Sequence, residues 1–265
     1  MIESLETQHN DFSFLQEILV KGYSGGYSVY EVPFHYFPRI NGVSKARIIK
    51  FGYSYLKLLY KSWRLRNSVE SADYDERAYD SWVLPQRWWQ RWRYKIITGY
   101  AERCSTVLDI GCGSSRIFEA LPGAIGLDIN KKKLRYRRTL GNPLICASLE
   151  KLPVPTEQFD QVICSEVIEH VPADENIFKE FHRALKPGGI LILGTPDYAK
   201  WQWNFVEWVY GKLMPGGYAD EHITHYTLQS LKGLLDKHGF DYLEHKYVFQ
   251  GELIIKARKR LNSPG

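Results

Sequence analysis

Short apolar runs alternate with segments of helical periodicity over the second half of the chain. This alternation predicts a mostly parallel sheet flanked by helices. The last two runs are separated only by Gly251, so we expect an antiparallel hairpin at one sheet edge. Strands are predicted at residues 106–110, 124–128, 143–147, 160–165, 189–195, 242–249 and 251–257. Ligands of such sheets bind at the carboxyl ends of the central strands, where the strand order reverses.

The first 67 residues follow a different pattern. They predict a short helix at 11–19, a strand at 27–34 and a longer helix at 46–67. The longer helix is amphipathic: its basic side carries Arg47, Lys50, Lys57, Lys61 and Arg64, and its apolar side carries Ile48, Ile49, Tyr55, Leu56, Leu59 and Trp63. Such a helix either lies on an anionic membrane surface or packs its apolar side on another domain.

Composition excludes several classes of protein. The chain has 265 residues and a net charge of +5, which is too weak an excess to indicate nucleic acid. Its four cysteines form no C-x-x-C pair, which argues against a zinc site and fits a reducing cytoplasm. No signal peptide and no apolar run long enough to span a bilayer is evident.

The strongest motif is a strand, a glycine turn and a helix start at Val107–Arg116. Gly111 and Gly113 lack a Cβ, so the chain can bend sharply and a ligand can approach its backbone. The G-x-G-x-x-G dinucleotide pattern is incomplete, because Arg116 stands at its third glycine. Asp128 follows 15 residues after Gly113, at the predicted tip of the next strand, where an acid can bind both hydroxyls of a ribose.

Asp109-x-Gly111-x-Gly113 followed by Asp128 resembles the class I S-adenosylmethionine (SAM) methyltransferases. Residues 159–164 look like that family's fourth strand and 185–192 like its turn into the fifth, so the resemblance covers roughly residues 70–258. It implies a Rossmann-like α/β fold with a seven-stranded sheet, preceded by a helical and extended N-terminal appendage. We assign residues 1–67 to the appendage, 68–80 to a polar, acidic linker, 81–258 to a methyltransferase domain and 259–265 to a basic tail.

The resemblance also implies a set of SAM contacts. Asp109 and the backbone of Gly111, Cys112 and Gly113 would face the methionine part, Asp128 the ribose, and Ile129 the adenine. Relatives usually place an Asp against the adenine amino group, whereas this chain has Ser148, followed by the backbone of Leu149. Ser165 would lie at the pocket mouth, after the fourth strand.

Methyl transfer to a hydroxyl usually needs a base or a metal. Glu166, Glu169 and His170 resemble the Glu-x-x-Glu-His segment of ubiquinone-pathway O-methyltransferases, which is associated with a divalent metal such as Mg²⁺. On a helical turn these positions share one face and could hold one ion. The alternative is a helix-start acid and a packed His without metal. Glu169 and His170 are candidate catalytic residues, and His222 is a second candidate base or a satisfied loop His.

A second resemblance concerns the appendage. Glu31–Phe34, Arg39 and Gly42–Lys45 are similar to the C-terminal end of polyprenyl-phosphate mannosyltransferase-type glycosyltransferases. The nucleotide-sugar half and the Asp-rich metal motif of that family are absent from the chain. The segment is therefore either a remnant of a fused gene or a phosphate-binding acceptor site, and it suggests a glycosyltransferase partner.

The leading interpretation is a cytoplasmic SAM-dependent O-methyltransferase, peripheral at the inner membrane face if the basic helix binds lipid. Its acceptor would be a lipid-linked sugar, a polysaccharide precursor or an isoprenoid-type small molecule, held under an aromatic lid at Trp201–Gly217 and a covering helix around Arg87–Lys95. Alternatives are an N- or C-methyltransferase of the same fold, and a non-catalytic SAM-binding or membrane-docked module that partners a glycosyltransferase. Nucleic acid is the least favoured partner.

Overall fold

The computed structural model describes residues 13–35, 48–102, 106–213 and 222–261, together with the single positions 7 and 37. The helices are α1 (Ser13–Ser24), α2 (Ile48–Arg66), α3 (Tyr74–Tyr79), α4 (Leu84–Tyr100), α5 (Ile117–Ala120), α6 (Lys131–Arg137), α7 (Glu175–Ala184), α8 (Trp201–Leu213) and α9 (Leu228–Lys237). The strands are β1 (Val107–Ile110), β2 (Ile125–Asp128), β3 (Leu144–Cys146), β4 (Phe159–Ser165), β5 (Leu185–Pro196), β6 (Phe240–Val248) and β7 (Glu252–Lys259).

The seven strands form one sheet in the order β3-β2-β1-β4-β5-β7-β6. The strands from β3 to β5 run parallel, and β7 is antiparallel to both β5 and β6. The predicted fold class and its C-terminal hairpin are therefore confirmed. The order reverses between β1 and β4, so the carboxyl ends of these two strands define the expected ligand crevice.

Side chains alternate between two apolar layers, one on each face of the sheet. Along β5, Leu191 and Leu193 pack in the layer covered by α7 and α9, whereas Ile190 and Ile192 pack in the layer covered by α4, α5 and α6. This alternation is the two-residue period of a strand buried on both faces. The helix after the lid begins at its predicted N-cap, since Thr227 and Ser230 form a reciprocal capping box.

The appendage departs from the prediction at residues 27–34. This segment is extended but pairs with no strand in the described part of the chain, and Tyr30, Val32 and Phe34 are exposed. The strand prediction was wrong, because alternating side chains form a strand only when a sheet edge is available to pair with. Arg39 and Gly42–Lys45, which carry much of the glycosyltransferase-like pattern, lie outside the described residues.

Residues 68–80 are packed rather than solvated. Ser71, Ala72 and Asp73 are buried, and the backbone N–H of Ala72 donates to the carbonyl of Ser24 at 2.9 Å. Helix α3 lies within this segment, so the expected linker is an ordered connection between the appendage and the sheet. In the described ranges, no helix combines the length and the apolarity needed to cross a bilayer.

Candidate active site

The glycine turn after β1 is fixed by backbone contacts. Gly111 and Gly113 have φ of +70° and +50°, which favours glycine. The N–H groups of Gly111 and Cys112 both donate to the carbonyl of Leu127, at 2.7 and 3.1 Å. A Cβ on Gly111 would collide with the side chain of Val167, so the turn lies directly against the segment that follows β4.

Asp128 is held at the tip of β2 by two backbone donors. Its Oδ2 accepts from the N–H of Gly113 at 2.8 Å, and its Oδ1 accepts from the N–H of Asn130 at 2.7 Å. A carboxylate oxygen can accept more than one hydrogen bond, so the group retains capacity for a ligand. The carboxylate thus lies beside the glycine turn, where the sequence predicts a contact with the ribose.

Asp109 occupies a different environment on the neighbouring strand. It is 2% exposed, and its Oδ2 has no hydrogen-bond partner among the described residues. Burial raises the pKa of Asp109 to about 7; Arg137 opposes this shift and Asp128 adds to it. A buried carboxylate with an unused oxygen beside a glycine turn suits a ligand that carries a cationic group, and the amino end of SAM is such a group.

Asp75 is a site residue that the sequence did not reveal. Helix α3 brings its Oδ2 to the glycine turn, where it accepts from the N–H of Ser114 at 2.9 Å and from Lys133 Nζ at 2.9 Å. Burial works against ionisation, but Lys133 and Ser114 outweigh it and lower the pKa of Asp75. A Cβ on Gly113 would collide with this carboxylate, so α3 closes over the turn from outside. No local motif signals this role, because the partners lie 39 and 58 residues away.

The remaining predicted cofactor residues are placed as follows. The side chain of Ile129, which the sequence predicts to contact adenine, is exposed beyond β2. The hydroxyl of Ser148 lies 3.3 Å from both the N–H and the carboxylate of Glu150. Leu149 is buried in the core, whereas Ser165 Oγ is buried and has no hydrogen-bond partner in the part of the chain that the structure describes. The side chain of Cys112 packs near Gly126, so Cys112 builds the turn rather than presenting a polar group.

The segment after β4 is not the regular helical turn that the sequence suggested. Glu166 has a left-handed backbone with φ of +58°, and only Ile168–His170 forms a 3₁₀ turn. The carboxylate of Glu166 pairs with Arg93 of α4 at 3.0 Å, and Arg93 also binds Glu252 of β7 at 2.6 Å. The expected shared face of Glu166, Glu169 and His170 is therefore wrong, because the left-handed residue turns Glu166 toward Arg93.

His222, rather than Glu166, joins Glu169 and His170 in the cluster of possible metal ligands. Glu169, His170 and His222 each place one ligand-type atom within 4.8 Å of the others. Glu169 is fully buried, and its backbone carbonyl accepts from the N–H groups of Ile223 and Thr224 at 2.8 and 3.0 Å, which fixes the loop that carries His222. Burial raises the pKa of Glu169 to about 8, although hydrogen bonds from the backbone and from Thr195 oppose this rise.

A carboxylate of the aromatic helix α8 orients His222. Glu207 Oε1 lies 3.0 Å from His222 Nδ1 and accepts from the hydroxyl of Tyr198 at 2.8 Å. A carboxylate can only accept, so it favours the tautomer with the proton on Nδ1, which makes Nε2 the basic nitrogen. The Tyr198 hydroxyl lies 2.7 Å from the same Nδ1. Burial lowers the pKa of His222 below its ordinary value of 6.5, although Glu207 opposes the shift. His222 is therefore neutral at neutral pH.

Sequence reasoning identified the aromatic segment around α8 but missed Glu207 and Tyr198. The only available signal was a single acid within an otherwise aromatic run, next to a predicted pocket.

Aromatic side chains connect this cluster to the surface. The ring of Trp203 lies 5.9 Å from His222 and 6.0 Å from Trp89. Phe249, at the turn between β6 and β7, lies 5.7 Å from Trp89 and 6.1 Å from Trp92. Trp203 is buried, whereas Phe249 and Trp92 are about half exposed. These rings thus lead from the histidines outward, and the predicted covering helix α4 supplies two of them. We call them the aromatic wall: Trp203, Trp89, Phe249 and Trp92.

The strand order, the glycine turn and the acid at the tip of β2 together define a class I SAM-dependent methyltransferase fold. The residues present fit SAM: the glycines leave room at the turn, Asp128 is held for a ribose, and Asp109 has an unused oxygen for a cationic group.

Comparison with known proteins agrees with this class. Residues 108–193 match the family described as a methyltransferase domain. A ubiquinone biosynthesis O-methyltransferase of Coxiella burnetii is 34% identical over 99 residues, which are 34% of this chain and 42% of that protein. The chain thus spans less than half the length of that relative. A protein of Encephalitozoon cuniculi that is named only by class, as a methyltransferase, is 30% identical over 184 residues, 65% of this chain and 87% of that protein.

A solved SAM-dependent methyltransferase of Methanosarcina mazei shares the fold, with a TM-score of 0.52, 23% identity, and coverage of 63% of this chain and 98% of that one. The chain belongs to the SAM-dependent methyltransferase family.

Proposed function

We propose that this chain transfers the methyl group of SAM to an oxygen of an amphipathic acceptor, either an isoprenoid-type phenol or alcohol or a lipid-linked sugar precursor. The observation that carries the proposal is the placement of His222, whose Nδ1 contacts Glu207 and whose ring lies beside that of His170, just after the carboxyl end of β4. The aromatic wall supports an apolar acceptor. The relatives named ubiquinone biosynthesis O-methyltransferases support oxygen as the acceptor atom.

In this mechanism the protein contributes position and a base. When bound, SAM supplies a methyl group that is already activated on a sulfonium. The glycine turn, Asp109 and Asp128 would hold the cofactor at the ends of β1 and β2. His222 accepts the hydroxyl proton of the acceptor at Nε2, and Glu207 stabilises the imidazolium that forms. Trp203, packed beside the imidazole, excludes water from this proton transfer.

The test is methyl transfer from labelled SAM to a phenol that carries a prenyl tail. We expect His222→Ala to lower kcat by about 10² to 10⁴-fold, the contribution typical of a general base, without weakening SAM binding. Wild-type turnover of His222→Ala would contradict the base assignment. SAM binding by the native chain without any transfer to the prenylated phenol would contradict the isoprenoid acceptor.

A metal-assisted variant of the same reaction is favoured by one observation. Glu169 Oε1 is buried beside the imidazoles of His170 and His222, and no described residue forms a hydrogen bond with it. One carboxylate and two imidazoles suit a borderline divalent ion such as Mn²⁺ or Zn²⁺, whereas Mg²⁺ prefers oxygen ligands. The residues therefore fit a borderline ion better than the Mg²⁺ suggested by the sequence. Such an ion would lower the pKa of the acceptor hydroxyl.

Calorimetric titration of Mn²⁺, Zn²⁺ and Mg²⁺ in the presence of SAM tests this variant. We expect Mn²⁺ or Zn²⁺ to bind with one-to-one stoichiometry and His170→Ala to abolish that binding. Failure of all three ions to bind at about millimolar concentration, where even weak protein sites for hard ions fill, would remove the metal.

A further inference from the structure

Helix α2 presents an apolar stripe to solvent on the side opposite its packed face. Leu58 is buried, 4% exposed, where α2 packs against α1. The positions at 53, 56, 59, 60 and 63 fall together on the far side at 100° per residue. These side chains, which we call the α2 stripe, are Tyr53, Leu56, Leu59, Tyr60 and Trp63, and they are 74%, 66%, 46%, 60% and 53% exposed.

Basic residues border the stripe, and α2 contains no acid. Its sequence includes five Lys and Arg residues and neither Asp nor Glu. By helical geometry Lys57, Lys61 and Arg64 lie along one border and Arg66 along the other. Within the described part of the chain, no acidic side chain forms an ion pair with Lys57 or Arg64. The helix therefore combines an apolar centre with positive edges.

This arrangement is complementary to the surface of an anionic bilayer, where negative headgroups lie over an apolar interior. Tyr and Trp are favoured at the boundary between headgroups and acyl chains, and Lys and Arg extend from there to lipid phosphates. A helix with a large apolar stripe and basic edges, but too polar to cross a bilayer, lies in the plane of the interface. The anionic headgroups of a bilayer supply the single sign of charge that these basic edges match.

We propose that the α2 stripe docks on a bilayer that contains anionic lipid. In this arrangement Tyr53, Leu56, Tyr60 and Trp63 insert at the headgroup boundary, while Lys57 and Arg64 pair with phosphates. The proposal does not depend on the acceptor or on the catalytic base.

The docked helix would carry the methyltransferase domain with it, because the α1–α2 hairpin is fixed to α6. Arg135 Nη1 donates to the carbonyl of Gly25 at 2.6 Å, and its guanidinium lies 3.9 Å from the ring centre of Tyr27. Gly26 packs so closely on the backbone of Lys132 that a Cβ would collide with it. The appendage is thus fixed to the methyltransferase domain through α6.

Vesicle flotation of the full chain tests the proposal, with phosphatidylcholine vesicles compared with vesicles containing about one third phosphatidylglycerol. We expect at least about tenfold stronger partitioning onto the anionic vesicles, weakened by salt. Lys57→Glu with Arg64→Glu should weaken it by about 25-fold or more, since each basic residue contributes about fivefold. Leu56→Glu should also reduce it by about tenfold or more.

Two matched variants serve as controls. Lys179→Glu reverses one basic charge at an exposed position of α7, and Leu140→Glu places an acid on another half-exposed Leu. Both should partition like the native chain. Retention of SAM binding and of the thermal unfolding midpoint would show that the α2 variants are folded.

Three results would overturn the proposal. The first is equal binding to neutral and anionic vesicles, and the second is no binding at low salt. The third is binding that the α2 variants leave unchanged. Concentration-dependent self-association that Leu56→Glu abolishes, without vesicle binding, would instead assign the stripe to contact between copies of this chain.

Discussion

Asp109 and Asp128 lie near the carboxyl ends of adjacent strands, yet the hydrogen bonding of their carboxyl groups differs. Asp128 receives two backbone N–H groups, which stabilise a carboxylate. Asp109 has an oxygen without a donor and has a pKa raised by burial to about 7. The Asp128 carboxylate is preorganised for a ribose. Ionisation of the buried Asp109 carboxyl group is unfavourable, and a cationic ligand would offset that free energy.

This contrast predicts that Asp109→Asn stabilises the ligand-free protein above neutral pH. The raised pKa means that the folded protein retains a proton that the unfolded chain loses between pH 3.8 and about 7, so stability falls as pH rises through that window. The full effect is at most about 4 kcal/mol, and the unmet hydrogen bonds of a buried amide should reduce the gain to about 2 kcal/mol. Urea unfolding at pH 4 and pH 8 without SAM measures it.

The gain should become small near pH 4, where Asp109 is protonated in the folded protein and only partly ionised in the unfolded chain, and SAM affinity should fall in the variant. A variant that is less stable than the native chain at pH 8 would show that Asp109 does not carry this unfavourable charge.

His222 and Glu207 make a second prediction through the pH dependence of the proposed reaction. His222 must be neutral to act as a base, so kcat should fall as pH drops through its pKa, which burial places below 6.5. Glu207 raises that pKa, so Glu207→Gln should move the acidic limb to still lower pH while reducing the plateau by about 10- to 100-fold. The pH dependence of kcat, measured for the native chain and for Glu207→Gln, tests this prediction. An acidic limb that stays in place or moves upward would indicate that another group titrates.

Helix α3 shows how a short polar segment can become part of a binding site. Asp75 N donates to Ser114 Oγ at 3.0 Å while its carboxylate accepts from Ser114 and Lys133, so α3 and the glycine turn are joined by several bonds. The Asp75 and Lys133 side chains are 25% and 16% exposed, which leaves the pair partly screened by water.

We therefore expect Asp75→Asn to lower the free energy of unfolding by about 1 to 2 kcal/mol and to weaken SAM binding, because the turn loses its outer support. Glu70→Gln is a matched control, since Glu70 is exposed in the same segment. Chemical denaturation and calorimetry on both variants provide the comparison. Equal SAM affinity in Asp75→Asn and the native chain would mean that α3 connects the appendage to the sheet without supporting the SAM site.

The elements that could be predicted from sequence are those fixed by local spacing. The strands, the turn at Gly111 and Gly113, and Asp128 follow from short-range patterns, and the structure confirms the predicted sheet. The contacts of Asp75 and Glu207 could not be predicted, because their partners are set by how distant elements pack. The turn at Glu166 was missed for a local reason: its left-handed backbone leaves no mark on the pattern of apolar positions.

The appendage and the sheet meet at a backbone contact that permits no side chain. Gly26 has φ of +79° and packs on Lys132, so Gly26→Ala would be both strained and obstructed. We expect that variant to lose about 1 to 3 kcal/mol of stability and to expose residues 27–35 to proteolysis. Gly22→Ala, within α1 and with open space at the Cβ position, should be neutral or slightly stabilising. Comparable loss in both variants would mean that α1 helicity, rather than the contact at Gly26, controls stability.

SAM binding tests the account most directly, because every assignment at the end of β1 and β2 depends on it. Isothermal titration of SAM should be done with the native chain, with Asp128→Ala and with Asp236→Ala, which removes a carboxylate that is 77% exposed. We expect native and Asp236→Ala proteins to bind in the micromolar range and Asp128→Ala to bind at least about 100-fold more weakly, because it loses both ribose hydrogen bonds. A folded native chain that does not bind SAM, or an Asp128→Ala variant that binds it normally, would contradict the account.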